Sequence, residues 1–269
     1  MNQPVAIVTG ASSGIGLATA QLLSRKGYTV YGINRGACER EGIRYLQADT
    51  SVREQVEAAV SHVLAEQGRI DLLVNNAGFG ISGSVEFTEP DEAKKMFDVN
   101  LWGYLNCIQC VLPAMRAQRS GRIVNISSVA GLVSIPFQGF YSCTKYAVQA
   151  MTLALREEVR PYGIKVCAVL PGDVQTSFTD RRRKNPAGSE IYPAMEASIA
   201  GMERDERGGL SPDCVAGTVW KTVRKRNPKP LTVSGTSYRL LSVLIKLLPL
   251  RFVNWMIGKL YAKNGKAKP

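Results

Sequence analysis

Near the N-terminus a short apolar, β-rich run, Val5-Ala-Ile-Val8, passes into Thr9-Gly10-Ala-Ser-Ser-Gly14-Ile15-Gly16. A helical pattern through Leu17, Ala20, Leu22 and Leu23 follows at once. Glycines at such a turn let the backbone approach a pyrophosphate, and the helix N-terminus adds N–H donors and the positive end of its dipole. The unit predicts a strand, a phosphate-binding turn and a helix that together hold a dinucleotide. The same residues also spell G-x-S-x-G, with Ser12 at the centre, the nucleophile elbow of α/β-hydrolases. That chemistry needs a histidine late in the chain. The one histidine, His62, falls in a mid-chain helical pattern, which disfavours hydrolysis.

The rest of the chain keeps alternating. Strands are predicted at Tyr28–Ile33, Gly42–Ala48, Asp71–Val74, Ile123–Ile126, Gly163–Leu170 and Pro230–Val233. Helical patterns run over Val52–Glu66 and Asp98–Arg119, from Tyr141 to about Tyr162, and onward from Thr88 and from Ser211. Such alternation is the signature of βαβ units. The expected fold is α/β: one doubly wound parallel sheet of Rossmann type, a single domain over residues 1–236 with residues 237–269 as its C-terminal extension. Phe178 to Gly209 is polar and basic with two prolines, and is expected to be a mobile lid over a substrate. Ligands of open parallel sheets lie beyond the carboxyl ends of the strands. The Gly10 turn, Asn75-Asn76-Ala77-Gly78, Ser128 and Pro171-Gly172 all fall at such ends.

Two residues of the fifth helix carry candidate chemistry. Tyr141 and Lys145 are four apart and so share a helix face. A neighbouring ammonium favours a phenolate, so Lys145 is expected to lower the pKa of Tyr141 and make it a general acid or base. Ser128, just past a strand, could polarise a carbonyl there. At the end of the second strand, NAD-binding units usually carry an acidic residue; here stand Asn34 and Arg35, and Arg35 could meet a 2′-phosphate.

Composition narrows the partners. The formal charge is 34 − 22 = +12, which favours anionic ligands or surfaces. Much of the excess sits in Arg181-Arg-Arg-Lys184, Arg224-Lys-Arg226 and the tail from Lys259 to Lys268. Six scattered cysteines suggest reduced thiols in a reducing compartment, and Cys107 and Cys110 are read as helix packing. No signal peptide and no uninterrupted apolar run of about 18 residues are apparent, so a cytoplasmic protein is expected. The segment 237–263 should form two short amphipathic helices broken at Pro249. Packing on the core or on a second subunit is the plainer expectation for them. Lys246, Arg251, Lys259 and Lys263 offer the basic complement of a peripheral membrane contact as the other.

Taken together, Thr9-Gly10-x3-Gly14-Ile15-Gly16, Asp49, Asn75-Asn-Ala-Gly78, Asn100, Ser128, Tyr141-x3-Lys145 and Pro171-Gly172 resemble the short-chain dehydrogenase/reductase family over roughly residues 4–235. The resemblance implies a catalytic set of Asn100, Ser128, Tyr141 and Lys145. Tyr141 would exchange a proton with the substrate oxygen, Lys145 would also hold the nicotinamide ribose, Ser128 would bind the carbonyl, and Asn100 would hold a water. It further implies cofactor contacts from Gly10, Ser12, Ser13, Gly14, Ile15, Gly16, Asn34, Arg35, Asp49, Thr50, Asn76, Ala77, Gly78, Pro171, Gly172, Val174 and Thr176, and no metal. Asp49 would meet the adenine, Asn76 the adenosine ribose side, and Val174 and Thr176 the carboxamide. The expected cofactor is NADP, NADPH preferred over NADH. The tail is similar to that of members acting on steroids, retinoids or long acyl ketones. The expected activity is therefore reduction of a hydrophobic ketone or aldehyde, by a homodimer or homotetramer that does not bind nucleic acid. A 3-oxoacyl thioester reductase and a non-catalytic NADP-binding sensor are the alternatives.

Overall fold

The computed structural model describes residues 3–262. The N-terminal strand is β1 (Val5–Thr9), buried along its length, and it turns into α1 (Gly14–Arg25). β2 (Thr29–Asn34), β3 (Arg44–Gln47), α2 (Arg53–Gln67) and β4 (Leu72–Asn75) follow. A two-residue strand β5 (Ile81–Ser82) precedes α3 (Pro90–Phe97) and α4 (Gly103–Gln118). Then come β6 (Gly121–Ile126), α5 (Gly139–Glu158) and β7 (Ile164–Leu170). The last third holds α6 (Phe178–Arg181), β8 (Arg183–Lys184), α7 (Met195–Arg207), α8 (Pro212–Val223), β9 (Leu231–Val233), α9 (Thr236–Leu247) and α10 (Leu250–Tyr261).

Seven strands pair in the order β3-β2-β1-β4-β6-β7-β9, all parallel. A sheet covered on both faces needs strands apolar on both faces, and VAIVT, LLVN and IKVCAVL meet that demand. Successive side chains point to opposite faces. Val5, Ile7, Leu73, Ile123 and Val166 therefore pack with α2, α4 and α5. Ala6, Val8, Leu72, Val74, Val124 and Cys167 pack with α1 and α8. From β1 the sheet grows one way through β2 and the other way through β4. The crevice at that reversal is where such folds hold ligands.

Local chemistry sets several element ends. Ser211 caps α8 by accepting the Cys214 N–H at 3.3 Å, with Pro212 in the first turn. The long helix expected over Asp98–Arg119 instead begins with a wide π turn at Asp98–Trp102 before α4. Such turns arise where one residue is inserted into the α-helical ladder, often at functional sites. The α5 helix stops at Glu158, and Arg160–Tyr162 tightens into a 3₁₀ turn around Pro161.

The C-terminal third carries more structure than its sequence pattern announces. Phe178–Gly209 has its own scaffold of α6, β8 and α7, and β8 pairs with β5. Inside it Arg182 and Glu206 form an ion pair with the Arg182 side chain 1% exposed, so polar sequence there does not mean solvated sequence. The two helices broken at Pro249 are present as α9 and α10, but α9 buries no residue and α10 buries only Val253. α10 packs on α7 and α9 on β9, while Leu240, Leu244, Leu247, Leu250 and Trp255 of the pair stay exposed. Lys263 and the rest of the basic tail lie outside the described residues. Among the described residues, no helix is long and apolar enough to cross a membrane.

Candidate active site

A cleft of about 630 Å³ opens at the carboxyl ends of β1, β2, β4, β6 and β7. Its floor is the glycine turn. Gly10 has φ +65°, a left-handed conformation that glycine accepts without strain. At Gly16 a side chain would collide with the Gly10 carbonyl, so the turn and α1 can close only on glycine. Thr9 Oγ1 accepts the N–H groups of Asn76 and Ala77 at 2.9 and 3.0 Å, and Asn76 Nδ2 donates to the Thr9 carbonyl at 3.0 Å. The end of β4 is thereby pinned over the turn.

Asn34 differs from its predicted setting. It is the last residue of β2 rather than the loop beyond it, 8% exposed, and both atoms of its amide are buried without a partner. It lines the cleft beside the exposed Arg35. A buried donor and acceptor of this kind call for a ligand with hydroxyl or phosphate oxygens. Asp49 and Thr50 line the same end, and the Asp49 carboxylate accepts both the N–H and the hydroxyl of Ser51, at 2.9 and 2.7 Å. Ser12, Ser13, Gly14, Ile15, Ala77, Gly78, Pro171, Gly172, Val174 and Thr176 also line the cleft. The glycine cradle and the unpartnered Asn34 amide fit an adenine dinucleotide laid across the sheet.

Tyr141, Lys145 and Ser128 meet midway along the cleft. Lys145 is 4% exposed; its Nζ donates to the Ile126 carbonyl at 3.1 Å and lies 5.6 Å from the ring centroids of both Tyr141 and Tyr104. Gln149 steadies this corner by donating to Ser127 Oγ at 3.1 Å and to the Ser128 carbonyl at 3.3 Å, while Ser127 donates to the Lys145 carbonyl at 3.0 Å. Ser128 Oγ accepts the Ala130 N–H at 3.1 Å.

The electrostatics reverse the expectation for Tyr141. Burial pushes its phenol up to about 12, the Glu206 carboxylate adds to the rise, and a hydrogen bond from Ser128 opposes it. Burial also lowers Lys145 to about 8. Desolvation penalises the charged form of both groups, and Lys145, still protonated at neutral pH, does not bring the phenol below its ordinary value.

Asn100 is fully buried and does not line the cleft. Its Oδ1 accepts the Phe79 N–H at 3.0 Å, and its Nδ2 donates to the Phe79 carbonyl at 2.9 Å and to Thr144 Oγ1 at 3.3 Å. Its side chain thus ties the π turn to the loop after β4 and to α5. His62, the base that a hydrolase reading needs, is exposed on α2 beside Glu66 at 3.6 Å and does not line the cleft.

Local sequence reading missed the opposite wall. Phe178 meets Tyr141 in a tilted contact, centroids 5.7 Å apart and planes 55° apart, and the Arg182 guanidinium lies over the Phe178 ring at 5.6 Å. Arg181 Nη1 donates to Ser13 Oγ at 3.2 Å across 168 residues, which places a guanidinium at the phosphate turn. The basic run Arg181–Lys184 was the available signal, but nothing local distinguishes its three arginines. Asp173 and Glu206 complete the wall, with Asp173 Oδ2 accepting the Tyr238 hydroxyl at 2.6 Å.

The family model described as short chain dehydrogenase matches residues 4–187. A 3-ketodihydrosphingosine reductase of Bacteroides thetaiotaomicron is 39% identical, over 97% of this chain and 99% of its own. An NADPH-dependent 3-dehydrocapnine reductase of Ornithobacterium rhinotracheale is 29% identical over 97% of each chain. Among solved structures, a short chain dehydrogenase/reductase from Burkholderia phymatum in complex with NAD superposes with a TM-score of 0.79 at 25% identity, over 100% of this chain and 98% of its own.

Proposed function

The chain belongs to the short-chain dehydrogenase/reductase family, an oxidoreductase with a nicotinamide-binding fold, and from that premise we propose that it is an NADPH-dependent carbonyl reductase for a hydrophobic, lipid-like ketone. The observation that carries this reading is the meeting of Tyr141, Ser128 and Lys145 in the cleft that the glycine turn floors.

When bound, the nicotinamide supplies a hydride to the carbonyl carbon. The chain's own residues supply the rest. The Ser128 hydroxyl holds the carbonyl oxygen, and Tyr141 gives that oxygen its proton. A phenol held up near 12 is fully protonated at neutral pH, which suits an acid in the reductive direction. Lys145, lowered to about 8, can exchange a proton close to neutrality behind it. Arg35, Arg181 and the Asn34 amide all line the cleft, and their charge and donors would suit the oxygens of an adenosine 2′-phosphate, which supports NADP; the name of the Ornithobacterium relative is in keeping with that. Phe178, Ile135 and Val129 give the substrate side an apolar lining. The relatives' names, a 3-ketodihydrosphingosine reductase and an NADPH-dependent 3-dehydrocapnine reductase, support a carbonyl reductase reading.

The test is consumption of NADPH or NADH with long-chain 3-keto sphingoid bases, steroid ketones, retinals and 3-oxoacyl thioesters, with products identified by mass. Fastest turnover is expected on a long-chain lipid ketone with NADPH. Turnover confined to the thioesters, or none on any member with either coenzyme, overturns the proposal.

A further inference from the structure

The pair α9 and α10 presents an apolar face that no other described part of the chain covers. In α9, Leu240, Val243, Leu244 and Leu247 recur at helical spacing and are 74, 57, 46 and 77% exposed. In α10, Leu250, Phe252, Trp255 and Leu260 are exposed as well. Phe252 and Trp255 stack in the open, centroids 5.6 Å apart, with Lys259 Nζ 6.0 Å over the indole. Isolated surface leucines are ordinary, but a contiguous set of this kind marks an interaction surface.

Charge decides what the partner is. Residues 236–262 contain Arg239, Lys246, Arg251 and Lys259 and no aspartate or glutamate. A second copy laid on this face would set cations against cations and bury them unpaired, which is costly. An anionic bilayer surface answers both features: headgroups pair with the basic side chains, the acyl boundary takes the leucines, and an exposed tryptophan sits between. The place of the pair adds a consequence. Tyr238 of α9 donates to Asp173, which lines the cleft, and α10 packs on α7, which carries Glu206.

We propose that α9 and α10 form a seat for an anionic lipid surface, holding the substrate side of the cleft beside the bilayer. The seat is independent of which ketone is reduced and goes beyond the activity proposed above.

The experiment is co-sedimentation of the full chain, at low and high salt, with vesicles of phosphatidylcholine alone and of phosphatidylcholine mixed with phosphatidylglycerol. Binding is expected on the anionic vesicles only, weakening with salt, with a blue shift of tryptophan emission that Trp255→Phe removes. Because each basic residue near such a surface is worth roughly fivefold, Lys246→Glu, Arg251→Glu and Lys259→Glu together should cut binding about a hundredfold. These residues are exposed, so folding and turnover of a short water-soluble ketone should not change. Leu240→Asp with Leu244→Asp should abolish binding by removing the apolar half. No sedimentation with anionic vesicles at low salt overturns the proposal. So does binding that survives both sets of substitutions, or a Leu240→Asp/Leu244→Asp variant that turns a stable oligomer into a monomer while still binding vesicles, which would assign the face to a second copy. Failure of every ketone in the turnover panel leaves the sedimentation result standing, so the two proposals fail separately.

Discussion

The two walls of the cleft differ in what holds them. The wall toward the sheet is made of strand ends and the glycine turn, and its polar contacts reach the backbone: Thr9 to the N–H groups of Asn76 and Ala77, Lys145 to Ile126. The opposite wall, from Phe178 through α7 and on to α9, adds to the short β5–β8 ladder a set of side-chain pairs. Arg182 pairs with Glu206, Thr179 donates to Glu206 at 2.6 Å, and Tyr238 donates to Asp173. Backbone partners cannot be substituted away, whereas side-chain partners can. The first wall is therefore built to keep one shape for one cofactor, and the second can be rewritten for a new substrate while the sheet stays as it is.

The sharpest test lies where the walls meet. Tyr141→Phe keeps the ring that packs against Phe178 and removes only the hydroxyl, so kcat should fall by ~10²–10⁴-fold while coenzyme affinity is unchanged. A matching loss of coenzyme binding in fluorescence titration would mean that the two walls are not separable. Next in size is the buried ion pair. Arg182→Met leaves Glu206 uncompensated in the interior and should cost about 3–5 kcal/mol in urea unfolding. Replacing both partners with apolar residues should return most of that loss. The comparison predicts that KM for the ketone rises in the single variant while the Kd for coenzyme holds.

Lys145 offers a test through pH. Its folded-state pKa is lowered from 10.5 to about 8. Below pH 8 both folded and unfolded chains carry the proton, and the folded state bears the full cost of a buried charge. Between pH 8 and 10.5 the unfolded chain binds the proton and the folded chain does not, so this group makes stability rise with pH, by on the order of 3 kcal/mol across the window. Lys145→Met should flatten that rise in unfolding midpoints taken at several pH values, and an unaltered slope would show that another group carries it. The smallest effect is expected at Arg35. Removing one charge-assisted contact to a phosphate should lower the ratio of kcat/KM for NADPH over NADH about tenfold in Arg35→Ala. An unchanged ratio would transfer the recognition to Arg181 and Asn34.

The same division decides what could be read without coordinates. The sheet, its helices and the positions of Gly10, Ser128, Tyr141 and Lys145 follow from period, turn chemistry and the rule that ligands lie at strand ends, all of them local signals. The break at Pro249 is local too, because proline lacks the N–H that a continuous helix needs. The burial of Arg182 and the reach of Arg181 to Ser13 are set by residues 24 and 168 positions away, and arginine in a polar stretch reads as solvated. Asn34 reads as loop because Ile33 ends the apolar run, yet the ladder with β3 continues through Asn34 opposite Gln47. The raised phenol of Tyr141 is a property of its burial, which the four-residue spacing from Lys145 does not report.

The order of the strands has a consequence for how the chain reaches this state. β1 takes its second neighbour from residues 72–74, and the Val5 N–H is met by the Asp71 carboxylate 66 positions later. β7 waits for Leu231–Val233 to cover its outer edge, and Arg122 waits for the carbonyl of Lys225, 103 positions on. Contacts this far apart in sequence make for slow assembly, since each loop must close before it is rewarded. A chain emerging from the ribosome lays the centre of the sheet first and leaves the β7 edge open until the last strand is out. During that interval the row of free N–H and C=O groups on β7 is a template for another chain. Shortening the chain before Leu231 would make that interval permanent, so yield and solubility, more than rate, should register the loss of three residues of strand.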